Sequence, residues 1–119
     1  MSQHISLILP AIFCNVLFEV EQRMKRKLKI GIIGDFNPDY PSHIATNEAL
    51  LHAAGALSLE VEHFWLPTEP LEKKSSEVSI RLRRSDAVWF SPGSPYRSIT
   101  GALQGIQFAR EEGRPFIGT

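Results

Sequence analysis

Two loops of this sequence combine residue types that bind or activate small polar substrates. The first, SPGSPYRS at residues 91–98, follows a short apolar run and holds a Pro-Gly turn with hydroxyl groups and an arginine behind it. A sharp turn after a strand can align backbone N–H groups, and an oxyanion hole in acyl transfer needs such fixed donors. Pro-Gly turns are common, so the pattern alone indicates only a turn. The candidate oxyanion and substrate residues are Gly93, Ser94, Pro95 and Tyr96.

The second loop, NPDYPSH at residues 37–43, also follows an apolar run and leads into a helical pattern. One interpretation is a ligand loop in which the N-terminus of the helix faces an anion. The other is a capped turn, in which Ser42 caps the helix and Pro41 fixes its entry. Both interpretations stay open. The candidate ligand residues are Asn37, Asp39, Tyr40, Ser42 and His43.

The remaining chemically versatile side chains are isolated in the sequence. No Cys, His or Asp stands at metal-ligand spacing around His52 or His63, so we expect a helix-surface and a strand-face position for them. We therefore predict no metal and no cofactor. The single cysteine, Cys14, excludes an internal disulfide and suits a reducing cytoplasm, which is the predicted location.

The composition is that of one globular domain or part of one. The chain has 119 residues, of which 43% are hydrophobic and 22% charged. Thirteen basic residues balance 13 acidic residues, so the formal net charge is zero. A dedicated nucleic-acid or membrane-surface binder usually shows a basic excess, so we predict neither partner.

The N-terminal residues differ from the rest of the chain. An apolar run at residues 5–18 is too short to span a bilayer, has no preceding Lys or Arg, and has no A-x-A site after it. Met24 opens MKRKLKIGIIGDF, which resembles an ordinary start that runs into a first strand. We expect residues 1–23 to be an extension outside the fold and residues 24–119 to be the domain. A weak signal or anchor is the alternative.

Strand and helix patterns alternate from residue 28 onward. Apolar runs predict strands at 28–36, 59–67 and 86–93, and a fourth strand beginning near Pro115. Helical spacing predicts helices from Ser42 to Gly55, over 71–82, and from Ser98 or Thr100 to Gly113. This order predicts right-handed βαβ units and an open parallel sheet. Ligands of such sheets bind beyond the carboxyl ends of the strands, where both loops lie.

Three segments together resemble the class I glutamine amidotransferase domain of CTP synthase, and a stand-alone group of (seleno)proteins related to its C-terminal region. They are KIGIIGDFN, DAVWFSPGSPY and ITGALQGIQFAREEGRPFIGT. The resemblance covers residues 27–119 and implies a flavodoxin-like three-layer α/β sandwich, truncated after about four strands. It implies an amide substrate such as glutamine. It also implies that the exposed sheet edge pairs with another chain, because an uncovered edge invites such pairing.

The resemblance also implies where the catalytic residues belong. Gly118 and Thr119 occupy the approach to a nucleophile elbow, so the Cys or selenocysteine nucleophile is expected directly after Thr119, with its His and Glu further on. The chain itself is then expected to be inactive, since Cys14 lies far from the elbow. Only Gly93 carries over, as an oxyanion donor, and Ser94 departs from the family's Pro-Gly-Gly pattern.

Two other classes of protein are alternatives to this interpretation. In a non-catalytic binding or regulatory module, the loops at 37–43 and 91–98 would form a small-molecule pocket. An elbow nucleophile and a later His-x-Glu in the downstream sequence would discriminate between the enzyme and the module. A response-regulator phosphoacceptor is disfavoured because Asp35 ends the first strand but no Asp ends the third.

Overall fold

The computed structural model describes residues 11–20, 27–92 and 96–119. Four parallel strands form one sheet in the order β2-β1-β3-β4. The strands are β1 (Leu28–Ile33), β2 (Val61–Leu66), β3 (Ala87–Phe90) and β4 (Phe116–Gly118). The helices are α1 (residues 11–20), α2 (Pro41–Ala56), α3 (Thr68–Glu72), α4 (Ser76–Arg84) and α5 (Ile99–Glu111).

Side chains alternate between two covered faces of the sheet, as the pleat of a strand requires. Ile33 aligns with Leu66 and Phe90 on one face, where the core includes residues of α3, α4 and α5. Trp65 lies on the opposite face, and its Nε1 donates a hydrogen bond to Asn47 Oδ1 of α2 at 2.9 Å. Helices therefore cover both faces, which confirms the predicted α/β sandwich with an open parallel sheet.

The single helix predicted over 71–82 is wrong, because the segment forms α3 and α4 with a break between them. Lys74 adopts the left-handed conformation, with φ of +54°. Its N–H donates to Leu71 O, and the N–H of Ser75 donates to Pro70 O at 3.0 Å. These two bonds form a Schellman motif, which satisfies the last carbonyl groups of α3 and turns the chain away.

Both predicted ends of α2 are also wrong. The N-cap is Tyr40 and the helix begins at Pro41, while no side chain caps it. Pro suits this first position because its φ is preset and it lacks the N–H that a cap would satisfy. Ser42 instead offers its carbonyl to Thr46 Oγ1 at 2.8 Å. At the other end the helix passes Gly55 and stops at Ala56, with Ser58 left-handed at φ of +53°.

The structure confirms the predicted ends of α5. Of the two candidate caps, Ser98 is the N-cap, and its Oγ accepts a hydrogen bond from Gly101 N at 2.9 Å. Gly113 follows the helix with φ of +66°, and the N–H of Arg114 donates to Ala109 O at 2.8 Å. Glycine carries no steric penalty at positive φ, so the chain turns there into β4.

Helix α1 carries exposed apolar side chains. Its large hydrophobic residues are each between 45% and 64% exposed, and they are Ile12, Phe13, Val16, Leu17, Phe18 and Val20. Cys14 is exposed as well. Within the part of the chain that the structure describes, no helix has the length and apolar character needed to cross a bilayer. That residues 1–23 lie outside the fold stays a prediction.

Candidate functional site

The carboxyl ends of the strands place both predicted loops at one edge of the sheet. β1 and β3 are neighbours, so the loops that follow them lie side by side. Ser91 N donates to Ile33 O at 3.1 Å, which joins the strand ends directly. A Cβ on Gly34 would overlap Ser91 Oγ, so glycine permits this close approach. This edge is the one at which open parallel sheets bind their ligands.

The loop at residues 37–43 is held by its own polar groups. Asn37 Oδ1 accepts from Asp39 N at 2.9 Å, and Asn37 O accepts from Tyr40 N at 3.0 Å. Asn37 N in turn donates to Nδ1 of His43 at 2.9 Å. An Asn side chain that bonds the backbone two residues on forms an Asx turn. The loop is therefore a preformed turn, and the Asp39 carboxylate projects from it in an exposed position.

His43 lies inside an aromatic cluster, formed by Phe36, Tyr40, His43 and Trp65. The imidazole is 4% exposed, and its centroid is 4.7 Å from that of Trp65 and 5.3 Å from that of Tyr40. Burial lowers the pKa of His43, and the negative charge of Asp35 raises it only in part. Because Nδ1 accepts a hydrogen bond, the neutral ring carries its proton on Nε2.

A small hollow opens where the two loops meet. It has a volume of about 220 Å³. A guanidinium, a carboxylate and an amide lie around it together with aromatic rings, so it can hold a small polar molecule. It brings two of the candidate ligand residues together with an arginine that the sequence did not single out. The lining residues are Asp35, Phe36, Asn37, Pro38, Tyr40 and Arg97.

A second concavity lies between α2 and the ends of β3 and β4. Its volume is about 320 Å³. It places Ser42 of the candidate ligand loop and Thr119 of the predicted elbow approach along the same groove. The indole Nε1 of Trp89 donates to Thr119 Oγ1 at 3.1 Å, and Gly118 pairs with Phe90 in the sheet. The other lining residues are Ala45, Thr46, Ala49, Trp89 and Pro92.

The predicted oxyanion loop is described only at its two ends. Gly93, Ser94 and Pro95 lie outside the described residues. The ring of Tyr96 stacks on Phe90 with centroids 4.9 Å apart, and its hydroxyl donates to Ser91 O. Tyr96 therefore packs against the end of β3.

Sequence patterns missed Asp35 as a structural centre of this site. Its carboxylate accepts from Thr68 N at 3.0 Å, from Thr68 Oγ1 at 2.7 Å and from Arg97 N at 2.8 Å. Burial opposes its ionisation, but these hydrogen bonds and the Arg97 charge together hold the pKa of Asp35 below its ordinary value. The one available signal was a carboxylate directly after a buried strand.

The isolated histidines lie where we expected them. His52 is exposed on α2, and His63 is half-buried on β2. Among residues 11–20, 27–92 and 96–119, no three His, Cys, Asp or Glu side chains group as a metal site would require.

Comparison with known proteins shows which sequences are similar to this chain. CTP synthases of Sulfolobus acidocaldarius and Koribacter versatilis are 31% and 36% identical to it over 93 and 94 residues. The chain is similar to a segment of CTP synthase. The CTP synthase of Campylobacter jejuni is 34% identical over 93 residues. The matches cover 77% to 79% of this chain but 17% of each CTP synthase, and no protein-family model matches the chain.

The fold agrees with that of a CTP synthase domain. The glutaminase domain of the Trypanosoma brucei enzyme, solved with bound acivicin, superposes with a TM-score of 0.66 at 22% identity. The superposition covers 76% of this chain and 35% of the solved one. The four-stranded parallel sheet with its helices thus matches a part of the flavodoxin-like glutaminase fold.

Proposed function

We propose that this chain is the N-terminal part of a glutaminase-like domain whose parent protein hydrolyses glutamine or a related amide. The observation that carries the proposal is the match of the sheet to the Trypanosoma brucei glutaminase domain. The similarity to CTP synthases supports it independently. The chain covers 17% of the length of those enzymes. The proposal is therefore confined to amide hydrolysis and includes no synthesis of CTP.

In the proposed mechanism, β4 delivers the nucleophile to the edge of the sheet. Gly118 and Thr119 lead into an elbow whose next residue is Cys or selenocysteine. Its thiolate or selenolate attacks the carbonyl carbon of the side-chain amide. The oxyanion that forms accepts a hydrogen bond from the N–H of Gly93. Collapse of this intermediate expels ammonia, which takes a proton from a downstream His, and leaves an acyl-enzyme. Water then hydrolyses the acyl-enzyme to the free acid.

The groups of the present chain supply binding and shape in this scheme. The loop at 37–43 and the hollow beside Arg97 contact the polar parts of the amide substrate, while Tyr96 closes the loop after β3. Because the nucleophile, the His and the Glu belong to a segment after Thr119 in this scheme, residues 1–119 alone have no glutaminase activity. A cytoplasmic location belongs to the same proposal, since the single Cys14 suits a reducing compartment.

Reading the gene beyond the Thr119 codon tests the proposal. We expect a Cys codon, or a UGA codon that is decoded as selenocysteine, followed by codons for a glycine pair or a similar pair. A different residue at that position would contradict the elbow. Mass spectrometry of the native protein distinguishes a decoded UGA from termination, because the two products differ in length.

A second candidate function is a non-catalytic module that binds a small molecule. The hollow beside Asp35 and Arg97 favours it, because aromatic walls and opposite charges suit a small polar ligand. This candidate requires no elbow and no downstream His and Glu. The absence of all three from the continued sequence, together with saturable ligand binding by the chain, would favour the module over the enzyme.

The proposal also includes self-association, in which two copies of the chain pair along β4. β4 is one of the two edge strands of the described sheet, β2 being the other, and Phe116 and Ile117 are 41% and 56% exposed on it. An apolar edge strand presents unpaired backbone groups to another chain. The isolated chain would bury this edge by pairing with a second copy.

A further inference from the structure

A hydrogen bond to an imidazole holds the start of the loop at residues 37–43. Asn37 N donates to Nδ1 of His43 at 2.9 Å. Asn37 then closes the turn, since its Oδ1 accepts from Asp39 N at 2.9 Å and its carbonyl oxygen accepts from Tyr40 N at 3.0 Å. Tyr40 O accepts from His43 N at 3.0 Å, which joins the turn to the first turn of α2. The position of the imidazole therefore determines the position of the turn.

Aromatic rings keep the imidazole in this orientation. Phe36 is stacked on it with centroids 6.1 Å apart and an interplanar angle of 23°, and Tyr40 meets it edge-on at 5.3 Å. The Trp65 ring lies 4.7 Å away and is itself bonded to Asn47 of α2. The imidazole is 4% exposed, so it cannot turn Nδ1 away from Asn37 unless these rings move.

The bond from Asn37 requires a neutral imidazole. Neutral histidine has one ring nitrogen that accepts a hydrogen bond, whereas both ring nitrogens of the cation carry protons and only donate. Protonation of His43 would set two N–H groups against each other over the 2.9 Å between Asn37 N and Nδ1. It would also leave a cation buried among aromatic rings. The observed turn is therefore compatible with one protonation state of His43.

We propose that His43 is a pH-sensitive latch, in which the neutral imidazole holds the loop at residues 37–43 closed and protonation of Nδ1 releases it. Release lets the imidazolium and Asn37 N reach water, which satisfies both donors. Asn37 and Tyr40 also line the hollow beside Arg97, so release changes the walls of that hollow. This consequence rests on the proposed function, in which the hollow contacts the substrate. Binding there is then favoured at neutral pH and weakened in acid.

The charged groups around His43 set the direction of the response. The Asp35 carboxylate raises the pKa of His43, but burial lowers it by more, so this pKa lies below the ordinary 6.5. The latch is therefore closed at neutral pH and opens as the pH falls below about 6.5. The titratable groups on the segments around the imidazole are Asp35 after β1, Asp39 and Tyr40 in the loop, Glu48 on α2, His63 on β2 and Arg97 before α5.

NMR and hydrogen exchange on the intact chain test the latch without any substitution. At about pH 7.5 the imidazole of His43 should be the neutral Nε2–H tautomer, and it should gain its second proton below about pH 6.5. Protection factors correct for the intrinsic pH dependence of exchange. Those of the Asn37, Asp39 and Tyr40 amides should fall about tenfold or more with the same midpoint, because Asn37 N loses its acceptor. Those of β1 should change less than about twofold, since its bonds to β2 and β3 are untouched.

The same titration can overturn the proposal. It is wrong if His43 gains its proton while the Asn37 amide keeps its protection. A proton on Nδ1 at about pH 7.5 also contradicts it, because Nδ1 could not then accept a hydrogen bond. An equal loss of protection throughout β1 would show that the whole domain unfolds, and this result contradicts a local latch as well.

His43→Gln and His52→Gln form a matched pair of variants. Gln at position 43 can accept from Asn37 N but cannot ionise, so the protection of Asn37 should no longer vary over this pH range. His52→Gln removes an exposed imidazole of the same helix and should leave the response of Asn37 as in the wild type. A response of Asn37 that persists in His43→Gln contradicts the latch. The wild-type titration decides the question if His43→Gln does not fold.

These measurements separate the latch from the proposed function. They need neither a substrate nor catalysis, so a failed latch leaves the glutaminase proposal intact. Conversely, a parent protein without a nucleophile would leave the exchange results for Asn37 unchanged.

Discussion

Gly101 of α5 lies directly against the backbone carbonyl of Thr68 at the start of α3. An added Cβ would overlap that carbonyl oxygen and approach Glu72 N to 3.0 Å. Neither is the end of a flexible side chain, so the helices would have to separate. We expect Gly101→Ala to lower the free energy of unfolding by about 1–3 kcal/mol, as overpacking does. Urea denaturation measures this change.

Gly55 provides the matched control for that substitution. It lies in α2, and apart from its chain neighbours and the backbone of its own helix, nothing lies within 4 Å of where a Cβ would be. Gly55→Ala should raise the free energy of unfolding by about 0.5–1 kcal/mol, because alanine has the higher helix propensity. Equal effects at the two glycines would show that α3 and α5 do not pack this closely.

The N-cap of α5 gives a second prediction. Ser98→Ala removes the bond to Gly101 N and the bond to Glu72, and should cost about 1–2 kcal/mol of stability. Thr100→Ala, two residues on at an exposed position, should change stability by less than about 0.5 kcal/mol. Thermal unfolding of both variants checks this pair, and a larger loss at Thr100 would place the cap there instead.

The buried His43 makes stability depend on pH. Its folded-state pKa lies below the ordinary 6.5, so the unfolded chain binds a proton more readily than the folded one. The stability is fully present above about pH 6.5 and is lost as the pH falls through the folded-state pKa. We expect the free energy of unfolding to decline as the pH falls below about 6.5.

Two variants isolate the contribution of His43. His43→Gln keeps an acceptor for Asn37 N but cannot ionise, so the decline over this pH range should become smaller. His52→Gln, at an exposed position of α2, is the matched control for the loss of an imidazole. Urea titrations at several pH values provide the measurement. An unaltered slope in His43→Gln would show that this imidazole does not titrate differently in the two states.

The exposed edge at β4 predicts self-association of the isolated chain. Light scattering at high protein concentration should show dimers or larger species, and Ile117→Lys should shift the population toward monomer, because charges on an edge strand oppose pairing. Leu51→Lys, at a residue 57% exposed on α2, is the control and should not shift it. A wild-type monomer at all concentrations would contradict pairing through this edge.

The positions of the strands and the order of the helices could be predicted from the sequence. The spacing of apolar residues indicates each element, and the turn-forming residues between them indicate where each element ends. Gly113 and Ser98 are the residue types that the end and the cap of α5 require, so local chemistry identified both. The break between α3 and α4 could not be predicted, since Lys74 takes a left-handed position that usually belongs to glycine. The prediction of the N-cap of α2 was wrong for a similar reason. The helix begins at Pro41 without a capping side chain, so the sequence holds no cap residue that a pattern could identify.

The location of the candidate site could be predicted from the sequence, but most of the hydrogen bonds and ring contacts within it could not. Parallel strands bring the loops after β1 and β3 to one edge, and the sequence indicated both loops. The bonds from Arg97 and Thr68 to Asp35 join residues that are distant in the chain, so no local pattern could reveal them. The burial of His43 depends likewise on Trp65, which a different strand supplies.

The central claim is tested most directly by glutamine hydrolysis in the protein translated through the codon after Thr119, with UGA decoded if it stands there. We expect ammonia release from glutamine that acivicin abolishes, and none when the residue after Thr119 is replaced by alanine. Glutamine hydrolysis that survives this replacement, or a continued protein that folds and releases no ammonia from glutamine or related amides, would contradict the assignment.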